Sequence, residues 1–245
     1  MSREVDLALW TAPSEGLSQV QVGALGARPT IWLEHVTLPG TLDSRLVILT
    51  DPGSEHARSY RLLRHRLFSQ GDPRIVAVTS AYPGEGKTTC ALNLALAMAE
   101  DTMTHVLLVD LNLRRPALGR VFGFTPFENI VENMARFVDV GPPYPVAAIS
   151  GTRLHVAALP ETPLEGGRLD RTLFAVALSD LRNVYDYIVI DAASVLESGD
   201  VDVVGECANG VIVTARAGRS RKGDMRRAIG QLAPAPVLGT VLIDA

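Results

Sequence analysis

Two textures of apolar and polar positions divide the chain. Over residues 1–41 the apolar residues keep no sustained period, and Gly, Pro, Ser and Thr recur. This predicts a weakly structured N-terminal extension, with strands at most around Gln19–Val22 and Thr30–Leu33. From Leu42 onward the pattern sharpens. Ser54 is placed to cap a helix with Glu55 in its first turn, running to about Ser69 and stopped by Gly71-Asp72-Pro73. Arg58, Arg61 and Arg64 recur every three residues and so share one face of that helix.

Beyond it, short apolar runs alternate with longer helical stretches. Strands are predicted at Ile75–Thr79, Val106–Asp110, Leu154–Leu159, Tyr187–Asp191, Gly210–Ala215 and Val237–Ile243. Helices are predicted at Lys87–Ala99 and near Leu169–Arg182. Unbroken Val/Ile/Leu runs mean strands covered on both faces, and helices between them mean parallel crossovers. The expected fold is a doubly wound, mostly parallel α/β sheet in three layers. Such sheets hold ligands at the carboxyl ends of their strands.

Composition narrows the function classes. With 245 residues, 47% of them hydrophobic, the chain can bury a sizeable core. A net charge of −4 argues against general nucleic-acid binding. Cys90 and Cys207 stand far apart outside any C-x-x-C pattern, so neither a disulfide framework nor a zinc site is expected. No stretch reaches the roughly 18 to 20 apolar residues that span a bilayer, and Glu4 and Asp6 stand where a secretory signal would be basic. A cytoplasmic protein without direct membrane insertion is expected, reaching the inner face of the membrane only through a partner.

The chemistry-bearing segment runs Ile75-Val-Ala-Val-Thr-Ser-Ala-Tyr-Pro-Gly-Glu-Gly-Lys-Thr-Thr89, from a strand through a glycine-rich turn into a helix. Phosphates need many donors at close range, which backbone N–H groups and a helix N-terminus supply without side-chain bulk. Pro83, Gly84, Glu85, Gly86, Lys87, Thr88 and Thr89 are the candidate phosphate-binding residues. Lys87 is placed to reach the β and γ phosphates and Thr88 to join a Mg²⁺ shell. The strict G-x-x-x-x-G-K-(S/T) pattern would want Gly at position 81, where this chain has Ala81. Two aspartates end apolar strands, Asp110 after Val-Leu-Leu-Val and Asp191 after Tyr-Ile-Val-Ile. A carboxylate at a strand's carboxyl end points into the nucleotide crevice. Together these residues predict a site for ATP and Mg²⁺.

Pro-Gly-Glu-Gly-Lys-Thr-Thr89, then Val-Leu-Leu-Val-Asp110-Leu-Asn-Leu-Arg-Arg-Pro116, then Tyr-Asp-Tyr-Ile-Val-Ile-Asp191, resembles the bacterial tyrosine kinases of the CpsD/CapB type over about residues 42–245. Those kinases are relatives of the MinD/ParA ATPases, which carry a lysine early in the loop where this chain has Tyr82. The resemblance implies a P-loop domain over residues 42–245 and autophosphorylation on tyrosine, coupled to capsule or exopolysaccharide export. It also implies a membrane-anchored co-polymerase as activating partner. Carried over, Lys87 and Asp110 are catalytic, Asp110 orienting or deprotonating the tyrosine hydroxyl. Thr88, Asp110, Asn112 and Asp191 form the metal set.

Three departures qualify that picture. The family's Asp-x-Asp is Asp110-Leu-Asn112 here, which keeps an oxygen ligand but loses a charge, so weaker Mg²⁺ binding is expected. The last tyrosine is Tyr187, so no tyrosine-rich tail is expected to serve as substrate. Tyr60, Tyr82, Tyr144, Tyr185 and Tyr187 remain, of which Tyr185 and Tyr187 read as flanks of a core strand. The family's Glu-x-x-Arg-x-x-Arg ring motif is matched through Arg61 and Arg64 with Arg58 in the Glu position, or shifted onto Glu55, Arg58 and Arg61. Arg216, Arg219, Arg221 and Lys222 follow the fifth strand as a basic run, read as a solvated loop, with framing of the nucleotide or a phosphorylated partner as the sharper option. Two alternatives stand beside the kinase: an ATP-binding switch without phosphotransfer, and a partitioning-type ATPase.

Overall fold

Continuous apolar runs become strands buried on both faces. The computed structural model describes residues 8–11, 17–21, 31–69, 71–135, 144–161 and 169–243. In chain order the strands are β1 (Ala8–Thr11), β2 (Leu17–Gln21), β3 (Ile31–Val36), β4 (Ile75–Ser80), β5 (Val106–Leu111), β6 (Tyr144–Ile149), β7 (Leu154–Ala157), β8 (Tyr187–Ala192), β9 (Gly210–Arg216) and β10 (Val237–Ile243). The helices are α1 (Val47–Thr50), α2 (Glu55–Ser69), α3 (Lys87–Met98), α4 (Leu118–Phe122), α5 (Ile130–Ala135), α6 (Arg171–Leu181), α7 (Asp200–Cys207) and α8 (Lys222–Gln231).

One sheet runs in the order β1-β2-β3-β6-β7-β5-β8-β4-β9-β10. From β7 to β10 every pairing is parallel, and β3 pairs parallel with β6. The β1–β2, β2–β3 and β6–β7 pairings are antiparallel. The doubly wound, mostly parallel fold expected from the sequence is therefore the fold observed. The extension contributes more order than its texture suggested: β3 outlasts the strand expected near Thr30–Leu33 and pairs along its whole length with β6. Strand β6 was not expected. Pro145, its second residue, breaks the strand reading locally, yet all six residues are buried.

The pleat sorts each central strand onto two cores. Ile75 and Ala77 face the side covered by α6, α7 and α8, together with Leu107, Val109, Ile188 and Ile190. Val76 and Val78 face the side covered by α1, α2 and α3, together with Val106, Leu108 and Val189. This alternation with period two is what a two-faced sheet requires. Helix α3, the one that opens the phosphate loop, is buried on almost every side, from Cys90 through Met98. Ser54 caps α2 as expected, its hydroxyl accepting from the Ala57 N–H at 3.1 Å.

Among the described residues, no helix is long and apolar enough to cross a membrane.

A buried asparagine fixes how the segment before α2 meets α3. The Asn93 amide donates to the Arg45 and Thr89 carbonyls at 2.7 and 2.8 Å and accepts from the Ile48 N–H at 3.0 Å. A fully satisfied polar group in a core costs little, whereas its loss leaves partners stranded. Asn93→Ala is expected to lower unfolding free energy by about 3 kcal/mol in urea titration.

His155 on β7 hydrogen-bonds the Tyr185 hydroxyl at 2.9 Å, and burial, helped by His105 and His35, depresses its pKa from 6.5 to about 4. The unfolded chain then binds a proton that the folded chain refuses, so this stabilisation is present above pH 6.5 and is lost as pH falls toward 4. The loss amounts to at most about 3 kcal/mol. Stability measured from pH 7 to 4 is expected to fall less steeply in His155→Gln than in the parent.

Candidate functional site

The site lies where the central strands end. In β4 the run of small and branched residues terminates at Ser80, and the chain turns through residues 81–86 before α3 begins at Lys87. Gly84 and Gly86 hold φ of 80° and 89°, which only glycine takes without strain. Space enforces the same choice. A Cβ on Gly86 would lie 2.7 Å from Ile243 of β10, and one on Gly84 would lie 2.9 Å from the Arg219 guanidinium.

The other face of the site comes from β5 and β8, paired in register so that Asp110 stands beside Asp191. Both carboxylates are fully buried. The Thr88 hydroxyl donates to Asp191 Oδ2 at 2.7 Å, and the Lys87 ammonium stands 3.5 Å from Asp191 Oδ1. That Oδ1 accepts no hydrogen bond although it is shut off from solvent. An oxygen left without a donor beside a threonine hydroxyl, at the mouth of a phosphate loop, fits a hard divalent cation. Thr88 and Asp191, both singled out from sequence, are thus brought together.

Asp110 is differently engaged. Its Oδ1 accepts from the Asn112 N–H at 3.1 Å, and its Oδ2 accepts from Ala117 and Leu118 at 2.9 and 3.1 Å. The carboxylate ties the turn after β5 to the start of α4. Burial, reinforced by the Asp191 charge, raises its pKa to about 7 against the pull of those three N–H donors. Asn112 donates its side-chain amide to the Arg115 carbonyl at 2.8 Å and lines the same cavity as Lys87 and Thr88.

Two cavities meet over the loop. The inner one, about 270 Å³, is bounded by Lys87, Thr88 and Asn112, with Arg45, Arg114 and Arg120 around it. The outer one, about 670 Å³, opens beside Tyr82, with Arg219, Arg221 and Arg227 on its walls. Pro83, Gly84, Arg115 and Glu197 belong to both. Arg45 is held by a bidentate pair with Asp43, at 2.9 and 2.6 Å, which keeps the Asp43 carboxyl down at about 2.

The loop's own glutamate does not face the ligand. Glu85 is buried, accepts from the Tyr82 N–H at 2.8 Å, and receives the Ser220 hydroxyl at 2.5 Å. Ser220 in turn accepts from the Arg216 N–H at 2.8 Å. Arg216 and Arg219 reach the Gly84 and Pro83 carbonyls at 3.5 and 3.3 Å. The basic run after β9 is therefore a strut against the phosphate loop rather than a free solvated loop. Only Lys222 onward enters α8. Sequence reading missed Glu85–Ser220 because the partners lie 135 positions apart.

The three arginines of α2 are engaged within the chain. Arg58 donates to the Gly53 carbonyl, Arg61 makes a bidentate pair with Glu100, and Arg64 reaches the Ala97 carbonyl and Glu100.

No family model matches the chain. Individual proteins do. Tyrosine-protein kinase YwqD of Bacillus subtilis is 26% identical over 212 residues, covering 82% of this chain and 86% of YwqD. Succinoglycan biosynthesis transport protein ExoP of Rhizobium meliloti is 26% identical over 217 residues, covering 84% of this chain but 27% of ExoP. Among solved structures, the VpsO kinase domain superposes with a TM-score of 0.66 at 29% identity, covering 78% of this chain and 95% of that one. The MinD cell division protein of Aquifex aeolicus shares the fold at a TM-score of 0.54 and 23% identity, covering 70% and 68%. By sequence the chain is similar to bacterial tyrosine-protein kinases, and it shares its fold with the VpsO kinase domain and with MinD.

Proposed function

We propose that this chain is an ATP-dependent protein-tyrosine kinase acting in capsule or exopolysaccharide synthesis. The observation that carries the reading is the convergence of Thr88 and Lys87 on Asp191, whose second oxygen is buried without a hydrogen-bond donor at the mouth of a glycine-rich loop. That donor set suits MgATP. The kinase names of the relatives supply the reaction class.

In this reading the backbone of residues 83–89 cradles the phosphates, and the helix N-terminus at Lys87 adds its partial positive charge. Lys87 turns from Asp191 to the β and γ phosphates. Thr88 and Asp191 hold Mg²⁺, with Asn112 contributing an oxygen and Asp110 standing behind them. Held by those residues, Mg²⁺ would offset the negative charge that develops during transfer. Asp110 acts by orientation, because its oxygens already fix the turn carrying Asn112, Arg114 and Arg115. Transfer through a loose transition state asks more of positioning than of a strong base.

In this reading residues 42–245 are the nucleotide-binding unit, and β1, β2 and β3 add to its sheet. ExoP is named a transport protein and is much longer than the matched region. A membrane-anchored co-polymerase, fused or separate, is the partner this suggests, which would hold the chain at the inner face of the membrane. A ring through Arg58, Arg61 and Arg64 would have to exchange Glu100 for a neighbour's carboxylate.

Incubation of the full chain with MgATP and a glutamate–tyrosine copolymer is expected to give phosphotyrosine. Lys87→Met and Asp191→Ala should each lower the rate at least about 100-fold, in line with the loss of a transition-state contact worth a few kcal/mol. ATP binding with no transfer to any acceptor, in the presence of the membrane partner, would point instead to a nucleotide-operated switch. Asn112→Asp adds a carboxylate to the metal set and is expected to tighten Mg²⁺ binding severalfold by calorimetry. An unchanged Mg²⁺ affinity would mean that position 112 does not face the metal.

A further inference from the structure

We propose that Tyr82 is the tyrosine of this chain that accepts phosphate, the γ-phosphoryl group coming from MgATP bound to a second copy. The proposal rests on the kinase reading and names its acceptor.

The chain has five tyrosines, and all five lie among the described residues. Three are closed to any active site: Tyr60, Tyr144 and Tyr185 are 8%, 1% and 4% exposed. Tyr187 opens β8, at the opposite end of the strand from Asp191. Its ring stacks on Phe68 with centroids 5.1 Å apart, and its hydroxyl is held by Asp72 at 2.6 Å. Tyr82 alone is an exposed residue, at 36%.

Its surroundings suit the product. Arg227 of α8 already donates to the Tyr82 hydroxyl at 2.9 Å. Arg115, Arg219 and Arg221 line the same outer cavity. A phosphotyrosine carries a charge of about −1.5 to −2 and three strong acceptor oxygens, which arginine clusters recognise. Three acidic residues share that cavity wall: Glu85 is committed to Ser220 and the Tyr82 N–H, Asp224 stands 3.8 Å from Arg227, and Glu197 completes the set. In a chain of net charge −4, such a concentration of arginines around one tyrosine marks a place for an added anion.

The donor belongs to another copy for a geometric reason. Tyr82 lines the outer cavity and not the inner one, whereas Lys87 and Thr88 line the inner cavity and not the outer. The side chain is directed from the loop toward α8, away from the phosphates its own backbone would cradle. In the step itself, the Tyr82 oxygen forms a bond to the γ phosphorus, and the bond from that phosphorus to the β,γ-bridging oxygen breaks. MgADP leaves, and the phenolic proton passes to water in the open cavity.

Isotopically labelled Lys87→Met, unable to donate, is mixed with unlabelled parent chain and MgATP, with the glutamate–tyrosine copolymer present as an independent acceptor. Peptide mapping by mass spectrometry then locates phosphate on the labelled chain. Phosphate at Tyr82 of the labelled chain is expected. The labelled double variant Lys87→Met/Tyr82→Phe should accept at least tenfold less. Phosphate on the copolymer or on another tyrosine, with Tyr82 unmodified, overturns the assignment and leaves the kinase reading intact. Modification of Tyr82 only in the unlabelled parent overturns transfer between copies. Absence of transfer to every acceptor overturns both readings together.

Discussion

Two carboxylates buried side by side set the terms for everything around them. Asp110 and Asp191 sit opposite each other at the ends of paired central strands, with no solvent to screen their repulsion. Burying one unpaired charge is expensive, and burying two adjacent like charges more so. Each neighbouring element can be understood as an answer to that problem. The turn after β5 folds back to place three N–H groups on Asp110. Helix α3 begins with Lys87 and Thr88, which supply a cation and a hydroxyl to Asp191. One oxygen of Asp191, faced by the Lys87 ammonium at 3.5 Å, still accepts no hydrogen bond.

The rest of the fold holds these answers in place at a distance. The buried Asn93 locks α3 to the segment bearing Arg45, so the far wall of the inner cavity moves with the loop. On the opposite flank, Glu85 and Ser220 fasten the loop to the turn between β9 and α8, which brings Arg216 and Arg219 onto loop carbonyls. The phosphate loop is gripped from both sides of the sheet, and the two faces of the core, each continuous, keep those grips aligned.

How much of this could be read from the chain depends on how local its cause is. Asp110 and Asp191 were legible because each closes an unbroken apolar run, and strand ends in a doubly wound sheet converge. The loop from Pro83 to Thr89 was legible because its glycines, lysine and threonine answer one ligand within seven positions. Strand β6 was hidden by Pro145, and its pairing with β3 and β7 reveals it. Glu85 looked like another loop residue, since nothing near it in sequence announces Ser220. Asp110 was read as orienting or deprotonating a hydroxyl, and the three backbone N–H groups that occupy it come together only once the turn into α4 has formed. The basic run from Arg216 to Lys222 has the composition of a solvated loop, and its contact with Pro83 and Gly84 depends on β4 and β9 being neighbours.

The contact between Gly86 and Ile243 has a temporal side. The left-handed glycine that opens α3 is closed over by β10, whose pairing with β9 must exist first. Contacts of the loop and its cavity come from as far apart as Arg45 and Ile243, so the chain must be made through residue 243 before the loop takes its final shape. During synthesis the glycine-rich turn and its lysine emerge early, next to carboxylates that have not yet been made. The final shape of the loop is thereby tied to the arrival of β10.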